Sequence, residues 1–289
     1  MTVIEAFQEF KSSLELPDRS QDQAAASQKE IREKVANYLS IPDSFLSGSY
    51  ARHTKIFPLN DIDVMLVRND QAVPLRTDGN GVLASTALDH LVAAVNSAYP
   101  YSATATKQAR SVNVQIQGLS FGFDLIPAWL RHPDGYWIPD TATGGWLPSD
   151  PKAHARLMTD ANERCANMLK PVIKMVKHWS RNNFDLMCSF HLELICRDVL
   201  LNNLWSNFQL GVALVLYYLK NYVGQQWMDP VYGVSRIDKQ LSQDDQNRLL
   251  TRISTDASSA KEAFRLEALG YHDEAIKKWS IIFVSGFPS

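Results

Sequence analysis

Hydrophobic positions in the first half of the chain change between helical and strand-like spacing. Ile31, Val35 and Leu39 recur every fourth residue, as on one face of a helix. Apolar and polar residues alternate in 111-SVNVQIQ-117 and 121-FGFDLIPAW-129, which indicates a β-hairpin. The pattern predicts helices at 3–16, 22–40 and 83–98, strands at 61–68, 111–117 and 121–129, and loops at 70–80 and 131–150.

The second half of the chain has helical spacing throughout. From about residue 152 this spacing continues almost to the end, with a break at 224–235. The first half therefore mixes helices and strands, whereas the second half is almost entirely helical. We predict an α+β protein with a mixed sheet and helices in an N-terminal lobe, residues 1–155, and an all-helical C-terminal lobe, residues 156–289.

The composition is that of a globular protein that acts on small substrates. The chain has 289 residues, and 45% of them are hydrophobic, which is enough for a substantial core. Its 29 Lys and Arg residues against 31 Asp and Glu residues give a formal net charge of −2. Proteins that grip long nucleic acid usually carry a basic excess, so we expect no long nucleic acid as a partner.

Three features favour a cytoplasmic location. Cys165, Cys188 and Cys196 form no CxxC pair, which is typical of reduced thiols. Charged residues interrupt the N-terminal segment 1–16, so no signal peptide is predicted. The longest apolar run, 210–219, is too short to cross a bilayer, and we expect no membrane association.

Two acids stand one residue apart where the strand 61-DIDVMLVR-68 begins. Alternate residues of a strand face the same side, so Asp61 and Asp63 should project together. Neighbouring carboxylates repel each other unless a cation compensates them, and Mg²⁺ prefers such oxygen ligands. Asp124 lies in the apolar strand 121–129 and is a third candidate ligand, as a site for two metal ions requires.

A solvated turn is the ordinary explanation of a DxD at the start of a strand. An isolated Asp in a strand is usually paired with a basic residue or lies on an edge. The combination with Gly48 and Ser49 favours a phosphate site, because glycine lets backbone N–H groups approach phosphate and serine can donate to it. Taken together, these residues predict a metal-dependent phosphoryl-transfer site.

The order of these motifs resembles a known superfamily. Gly-Ser, eleven residues, D-h-D and a distant Asp are similar to the nucleotidyltransferases related to DNA polymerase β. Within that superfamily the chain resembles cyclic GMP–AMP synthase and the bacterial cyclic-oligonucleotide synthases, the CD-NTases, and it resembles oligoadenylate synthetase in 123-FDLIPAW-129. The resemblance extends through 169-LKPVIKMVKHW-179, 188-CSFHLELI-195 and 275-AIKKWSIIFVSGFP-288.

The resemblance implies a role for each matching residue, and it makes residues 1–155 the nucleotidyltransferase catalytic lobe. Gly48 and Ser49 would hold the β- and γ-phosphates of a donor nucleotide. Two Mg²⁺ ions, with Mn²⁺ as a possible substitute, would be bound by Asp61 and Asp63, and Asp124 would bind the ion that activates the acceptor hydroxyl. In the helical lobe, the resemblance assigns the triphosphate to Lys177, a phosphate to Ser189 and the donor base to Phe190.

The basic residues of the lysine-rich helix support one of these assignments. At about 100° per residue, Lys170, Lys174, Lys177 and Arg181 fall within about 60° of one another. Such a stripe is usually solvated. Opposite a triphosphate site at least one of these residues should have a role, and Lys177 is our choice.

The implied function is synthesis of a cyclic di- or trinucleotide second messenger from ATP, GTP or pyrimidine nucleoside triphosphates, with release of pyrophosphate. The bacterial relatives signal phage infection, so the resemblance also implies an effector protein that senses the product and a regulatory partner protein. Nothing in the chain resembles the zinc-binding insertion of the animal DNA sensor. Activation by double-stranded DNA is therefore not expected.

Two other functions remain open at this point. The chain could transfer nucleotides to RNA or to a small molecule, although RNA tailing would favour a basic groove that the composition does not indicate. It could also be an inactive nucleotide-binding module, whose signature would be the loss of an acid. All three acids are present. Base preference, linkage and ring size are left open as well.

Overall fold

The computed structural model describes residues 1–68 and 83–288, so the predicted loop at 70–80 lies outside the described residues. The described helices are α1 (Val3–Ser13), α2 (Asp18–Ala36), α3 (Gly48–Ala51), α4 (Ala84–Ala98), α5 (Pro151–Arg164), α6 (Leu169–Asn182), α7 (Ser189–Leu201), α8 (Phe208–Leu219), α9 (Gln243–Ala268) and α10 (His272–Phe283). The described strands are β1 (Asp43–Leu46), β2 (Asp61–Arg68), β3 (Ala103–Lys107), β4 (Val112–Ile116), β5 (Gly122–Leu130), β6 (Tyr136–Asp140) and β7 (Gly145–Ser149).

The strands form one mixed sheet in the order β1-β2-β5-β4-β3. The central pair, β2 and β5, is parallel, and the other pairs are antiparallel. Because β4 pairs with β5 across the turn that contains Gly118, the hairpin predicted from the alternating pattern is confirmed. The predicted α+β class, with a mixed sheet followed by C-terminal helices, is also confirmed.

The prediction of a long loop at 131–150 is wrong, because this segment contains the hairpin β6–β7. Strand β6 pairs with the end of β5, where Trp129 lies opposite Trp137, and β7 then pairs with β6. Trp146 packs edge-on against Trp129 at 4.9 Å between ring centroids, which anchors the hairpin. Among the described strands, β7 pairs only with β6 and is therefore an edge strand. An edge strand tolerates a proline such as Pro148, so the composition that indicated a loop is compatible with this hairpin.

One core lies between the sheet and the helices α2 and α4. Ile31 and Val35 of α2 and Leu88 and Leu91 of α4 are fully buried. They pack with inward-facing side chains of the sheet such as Ile62 of β2. The helical periodicity seen in the sequence around residues 31–39 therefore buries one face of α2 against the strand that carries Asp61 and Asp63.

A second core is formed by the C-terminal helices together with α1. Phe7 of α1 packs edge-on against Trp279 of α10 at 4.9 Å between centroids, and Phe7 also contacts Phe283 and Phe287. The N-terminal helix thus shares the core of the C-terminal half, a feature that the predicted division at residue 155 does not include. That division itself stays a prediction.

The helical half contains a long break between two helices and a buried, hydrogen-bonded carboxylate. The break between helices α8 and α9 spans residues 220–242 and is longer than the predicted break at 224–235. The buried carboxylate of Asp256 accepts hydrogen bonds from Trp179 Nε1 and Arg252 Nε, each at 2.7 Å. Among the described residues, no helix is both long and apolar enough to cross a membrane.

The packing of α1 predicts a large loss of stability on truncation of Phe7. Phe7→Ala removes a fully buried ring and leaves a cavity, so we expect the free energy of unfolding to fall by about 3–5 kcal/mol. Urea denaturation measures this change. Ile4→Ala is the matched control, because Ile4 lies on the same helix with 54% of its surface exposed, and it should change stability by about 0.5 kcal/mol or less. Equal effects of the two substitutions would contradict the shared core.

Candidate active site

A cavity of about 460 Å³ lies between the sheet and the helices α6 and α7. Its lining includes every residue predicted for the site, namely Gly48, Ser49, Asp61, Asp63, Asp124, Lys177, Ser189 and Phe190. These residues come from five different elements and span 143 positions of the chain, from 48 to 190. The structure therefore brings all eight together in space, whereas the role of each one stays a prediction.

The parallel pairing of β2 with β5 places the acids side by side. Asp63 lies directly opposite Asp124 in the register, and Asp61 lies two residues earlier on the same face of β2. Ile62 and Val64, which alternate with the acids, are fully buried. The strand thus points its carboxylates into the cavity and its aliphatic side chains into the core, as the spacing predicts.

An amide side chain joins two of the carboxylates. Asn113 Nδ2 on β4 donates to Asp61 Oδ1 at 3.1 Å and to Asp124 Oδ1 at 2.9 Å. Gln115 Nε2 in turn donates to Asn113 Oδ1 at 3.0 Å. The sequence analysis missed both amides, although the alternation of 111–117 places them on the polar face of a strand next to Asp124.

Two glycines leave room for the carboxylates. Gly48 has a φ of +58°, and a Cβ at this position would overlap the carboxylate of Asp63. Gly122 lies opposite Asp61 in the register of β2 and β5, and a Cβ there would lie 2.5 Å from Asp61 Oδ1. The backbone N–H of Ser47 donates to the carbonyl oxygen of Asp63 at 2.8 Å, which fixes Gly48 and Ser49 against the acidic strand.

Burial and mutual repulsion weaken the ionisation of the acids. Burial and the negative charge of Asp124 raise the pKa of Asp63 to about 6, against the opposing effect of Arg52. Burial also raises the pKa of Asp124, although the hydrogen bond from Asn113 opposes this change. A cation between these carboxylates would remove the repulsion, so their electrostatics favour binding of one.

The carboxylate oxygens of the cavity are the candidate ligands for the predicted Mg²⁺. In the part of the chain that the structure describes, no three His, Cys, Asp or Glu side chains form a ready-made metal-binding group. However, Mg²⁺ commonly takes only one or two carboxylates and completes its shell with water and substrate phosphates. The adjacent carboxylates of Asp63 and Asp124, with Asp61 beside them, offer oxygen ligands in an open cavity and fit that pattern.

A buried charge network lies beside the acids. Glu193 of α7 has no solvent exposure, and its carboxylate accepts from Arg52 Nε at 2.8 Å and from Arg52 Nη2 at 3.2 Å. Lys177 Nζ donates to Glu193 Oε1 at 3.2 Å and to the carbonyl oxygen of Thr54 at 3.0 Å. The sequence analysis singled out Lys177 but missed its two charged partners, which are 125 and 16 positions away from it.

The basic side of α6 is largely paired rather than solvated. Lys174 is buried, and its Nζ donates to the carboxylate of Glu15 at 2.6 Å. Arg181 Nη1 donates to the carbonyl oxygen of Pro58 at 3.1 Å and also lines the cavity. Of the stripe seen in the sequence, Lys177 and Arg181 reach the cavity, and Lys174 instead ties α6 to the chain just after α1.

The start of α7 provides an aromatic wall. Phe190 contacts the guanidinium of Arg52 at 4.5 Å from the ring centroid and the ring of His154 at 4.9 Å between centroids. His154 Nε2 lies 2.8 Å from Asp229 Oδ2, in the segment between helices α8 and α9. His154 is thus part of the cavity lining next to Phe190.

The chain was compared with protein families and with curated proteins. Residues 1–162 match the model of the Second Messenger Oligonucleotide or Dinucleotide Synthetase domain. The chain is 27% identical over 274 residues to a protein of Bacillus cereus (strain VD146) described as a probable cyclic nucleotide synthase, covering 84% of this chain and 81% of the relative. It is 24% identical to a cyclic AMP-AMP-AMP synthase of Acinetobacter sp., covering 100% of this chain and 86% of the relative.

Solved structures share the fold over the whole chain. Vibrio cholerae DncV, a cyclic AMP-GMP synthase solved with the linear intermediate 5′ pppA(3′,5′)pG, matches with a TM-score of 0.82 at 12% identity and covers 100% of this chain and 97% of that chain. Escherichia coli MS115-1 CdnC, solved in complex with HORMA-deltaN, matches with a TM-score of 0.76 at 21% identity, with coverages of 99% and 98%.

These findings confirm the resemblance to the bacterial cyclic-oligonucleotide synthases. The matched family model covers more than half of the 289 residues and includes all three aspartates, Gly48 and Ser49. The chain therefore belongs to the Second Messenger Oligonucleotide or Dinucleotide Synthetase family, which consists of nucleotidyltransferases that form cyclic oligonucleotides.

Proposed function

We propose that this enzyme joins nucleoside triphosphates into a cyclic di- or trinucleotide second messenger and releases pyrophosphate. The observation that carries the proposal is the meeting of three aspartates, Gly48 and Ser49 in one cavity with a basic and an aromatic wall. The activities named for the relatives, cyclic AMP-AMP-AMP and cyclic AMP-GMP synthesis, support both ring sizes.

In the proposed reaction, a ribose hydroxyl of one nucleotide attacks the α-phosphorus of another. A new P–O bond forms, the bond to the pyrophosphate breaks, and the hydroxyl proton is released. After one such transfer for a dinucleotide, or two for a trinucleotide, a final transfer within the linear product closes the ring and releases another pyrophosphate. Two bound Mg²⁺ ions, or Mn²⁺ in their place, would lower the pKa of the hydroxyl and neutralise charge on the phosphates.

The chain's own residues would bind and orient the substrates. Asp61, Asp63 and Asp124 would hold the metal ions, and the backbone N–H groups of Gly48 and Ser49 would bind the β- and γ-phosphates. Asn113, which bonds two of the three carboxylates, would keep their oxygens aimed into the cavity. This role for Asn113 is our addition to the residues predicted from the sequence.

Helices α6 and α7, on the other side of the cavity from the sheet, would contact both the phosphates and the base of the donor nucleotide. Lys177 and Ser189 would contact the phosphates, and Phe190 would stack on the base. Phe190 contacts both Arg52 and His154, so its ring is already oriented before a base arrives. Such preorganisation lowers the entropic cost of binding.

We further propose that the product acts on an effector protein in bacterial antiphage defence and that the enzyme works in the cytoplasm. A regulatory partner protein is proposed as well, and the CdnC:HORMA-deltaN complex of a structural relative supports it. Long nucleic acid is not a proposed partner, since the net charge is −2.

The reaction is tested by incubating the enzyme with Mg²⁺ and labelled ATP, GTP, CTP and UTP, singly and together, and resolving the phosphatase-resistant products. Products that are unchanged in an Asp61→Ala, Asp63→Ala double variant would refute the metal-site assignment. Labelled nucleotide on added RNA, without cyclic product, would favour the RNA-directed alternative. Nucleotide binding without turnover would favour the inactive module.

Asp124→Asn should reduce formation of the cyclic product by about 100-fold or more, because losing a direct metal ligand should exceed the roughly 10–100-fold effect of outer-shell changes. Product formation is measured with the labelled nucleotides above. Asp89→Asn is the matched control, since Asp89 is exposed on α4 and bonds Lys107 outside the cavity. Comparable activity of the two variants would contradict the role of Asp124.

The pKa of Asp63 predicts a pH-dependent stability of the metal-free enzyme. The folded pKa of about 6 lies above the ordinary value of 3.8, so the ionised carboxylate destabilises the fold above about pH 6. Asp63→Asn should therefore unfold with a free energy higher than that of the wild type by on the order of 2–3 kcal/mol near pH 7.5. The difference should vanish near pH 4, because Asp63 is then protonated in the folded wild type.

Urea denaturation with a metal chelator present measures both values. Added Mg²⁺ should then stabilise the wild type more than the Asp63→Asn variant, because binding to the folded state alone raises stability. If the wild type and Asp63→Asn differed in unfolding free energy by the same amount at pH 4 and at pH 7.5, the raised pKa of Asp63 would be contradicted.

A further inference from the structure

Glu193 links the parts of the cavity that would hold the two ends of a donor nucleotide. Arg52 directly follows α3, which begins with Gly48 and Ser49, and Lys177 comes from the middle of α6. Glu193 lies on α7 one turn after Ser189. Its carboxylate bonds both cations and is fully buried, so these three elements meet at one pair of oxygens.

The carboxylate also balances charge that burial would otherwise remove. Burial opposes ionisation of Glu193, but the charges of Arg52 and Lys177 outweigh it and hold the pKa of Glu193 below its ordinary value. Arginine stays protonated at every accessible pH, whereas a buried lysine loses its proton readily. Lys177 is therefore the cation of this network whose charge depends on its partner.

We propose that Glu193 is a positioning residue that holds Lys177 and Arg52 in place as two cations beneath the triphosphate site. The inference rests on the proposed function, because it assumes that a triphosphate occupies this cavity. Glu193 lies beneath the lining rather than in it and would touch no substrate. It would act through Lys177, which lines the cavity, and through Arg52, which packs against Phe190.

The surroundings of Lys177 make Glu193 its decisive partner. Burial lowers the pKa of Lys177, Glu193 opposes that change, and Arg52 adds to it. Removing the charge of Glu193 leaves burial and Arg52 to act alone, so the pKa of Lys177 should fall further. The charged and titratable groups that face Lys177 are Glu193 and Cys196 on α7, Arg52 after α3, Asp63 on β2 and Arg181 on α6 itself.

The test measures ATP affinity against pH by calorimetry in the presence of Mg²⁺. The range from about pH 7.5 to 9.5 is chosen because it lies above the titration of carboxylates and phosphates. The wild-type affinity should fall least with rising pH, because Glu193 stabilises the charged form of Lys177. Glu193→Gln keeps the shape of the side chain and removes its charge, so its affinity should fall by about tenfold or more across this range as Lys177 loses its proton.

Two further variants separate charge from packing. Glu193→Asp keeps the charge with a shorter reach, so its affinity should begin to fall at a higher pH than that of Glu193→Gln. It also carries the test if Glu193→Gln does not fold. Asp256→Asn removes another buried carboxylate, which bonds Arg252 of α9 and Trp179 of α6 and is not among the residues that line the cavity. It should lower the melting temperature without changing the pH profile of ATP binding.

The outcomes distinguish this inference from the proposed function. A wild type that binds none of ATP, GTP, CTP and UTP overturns the proposed function and the inference with it. If the wild type binds a triphosphate and the affinity of the Glu193 variants depends on pH no more than that of the wild type, only the inference is overturned. A fall in affinity that Asp256→Asn reproduces would also overturn it, because the effect would then be one of stability alone.

Discussion

The site depends on one constraint, the parallel pairing of β2 with β5. This pairing sets Asp63 directly beside Asp124, and the strand next to Asp124 offers it the neutral amide of Asn113. The fold thus keeps together two groups that repel each other, and it does so with buried aliphatic side chains on the opposite face. Binding free energy from a cation would offset this repulsion, so the unfavourable pairing in the free protein favours the ligand.

The sequence was sufficient to predict three strands of the sheet, the helical half and the shared face of Asp61 and Asp63, for a physical reason. A two-residue period fixes which side chains share a face, and this period survives in any strand that has one buried side. Asp61 and Asp63 therefore project together as expected, and the hairpin of β4 and β5 brings Asp124 into register with Asn113. Residue composition alone misled at 131–150, where an edge hairpin tolerates the prolines that usually indicate a loop.

What the sequence could not show is which distant residues meet. Arg52 and Glu193 are separated by 141 positions, and neither belongs to a periodic pattern that points to the other. The packing of α1 into the helical core is of the same kind, because the helix predicted at 3–16 does not indicate which helices cover it. Contacts of this kind arise from tertiary packing, and no local sequence pattern indicates them.

The absence of a side chain at Gly48 and at Gly122 affects how the sites of related proteins should be compared. Gly48 and Gly122 each leave a volume that a carboxylate of the site occupies, so a single added methyl group at either position would displace Asp63 or Asp61 while every acid remained in the sequence. A relative could therefore retain all three aspartates and still have lost the arrangement of carboxylates that this structure shows. To distinguish active from inactive members of this family, the residues at the positions of Gly48 and Gly122 must therefore be compared as well as the aspartates.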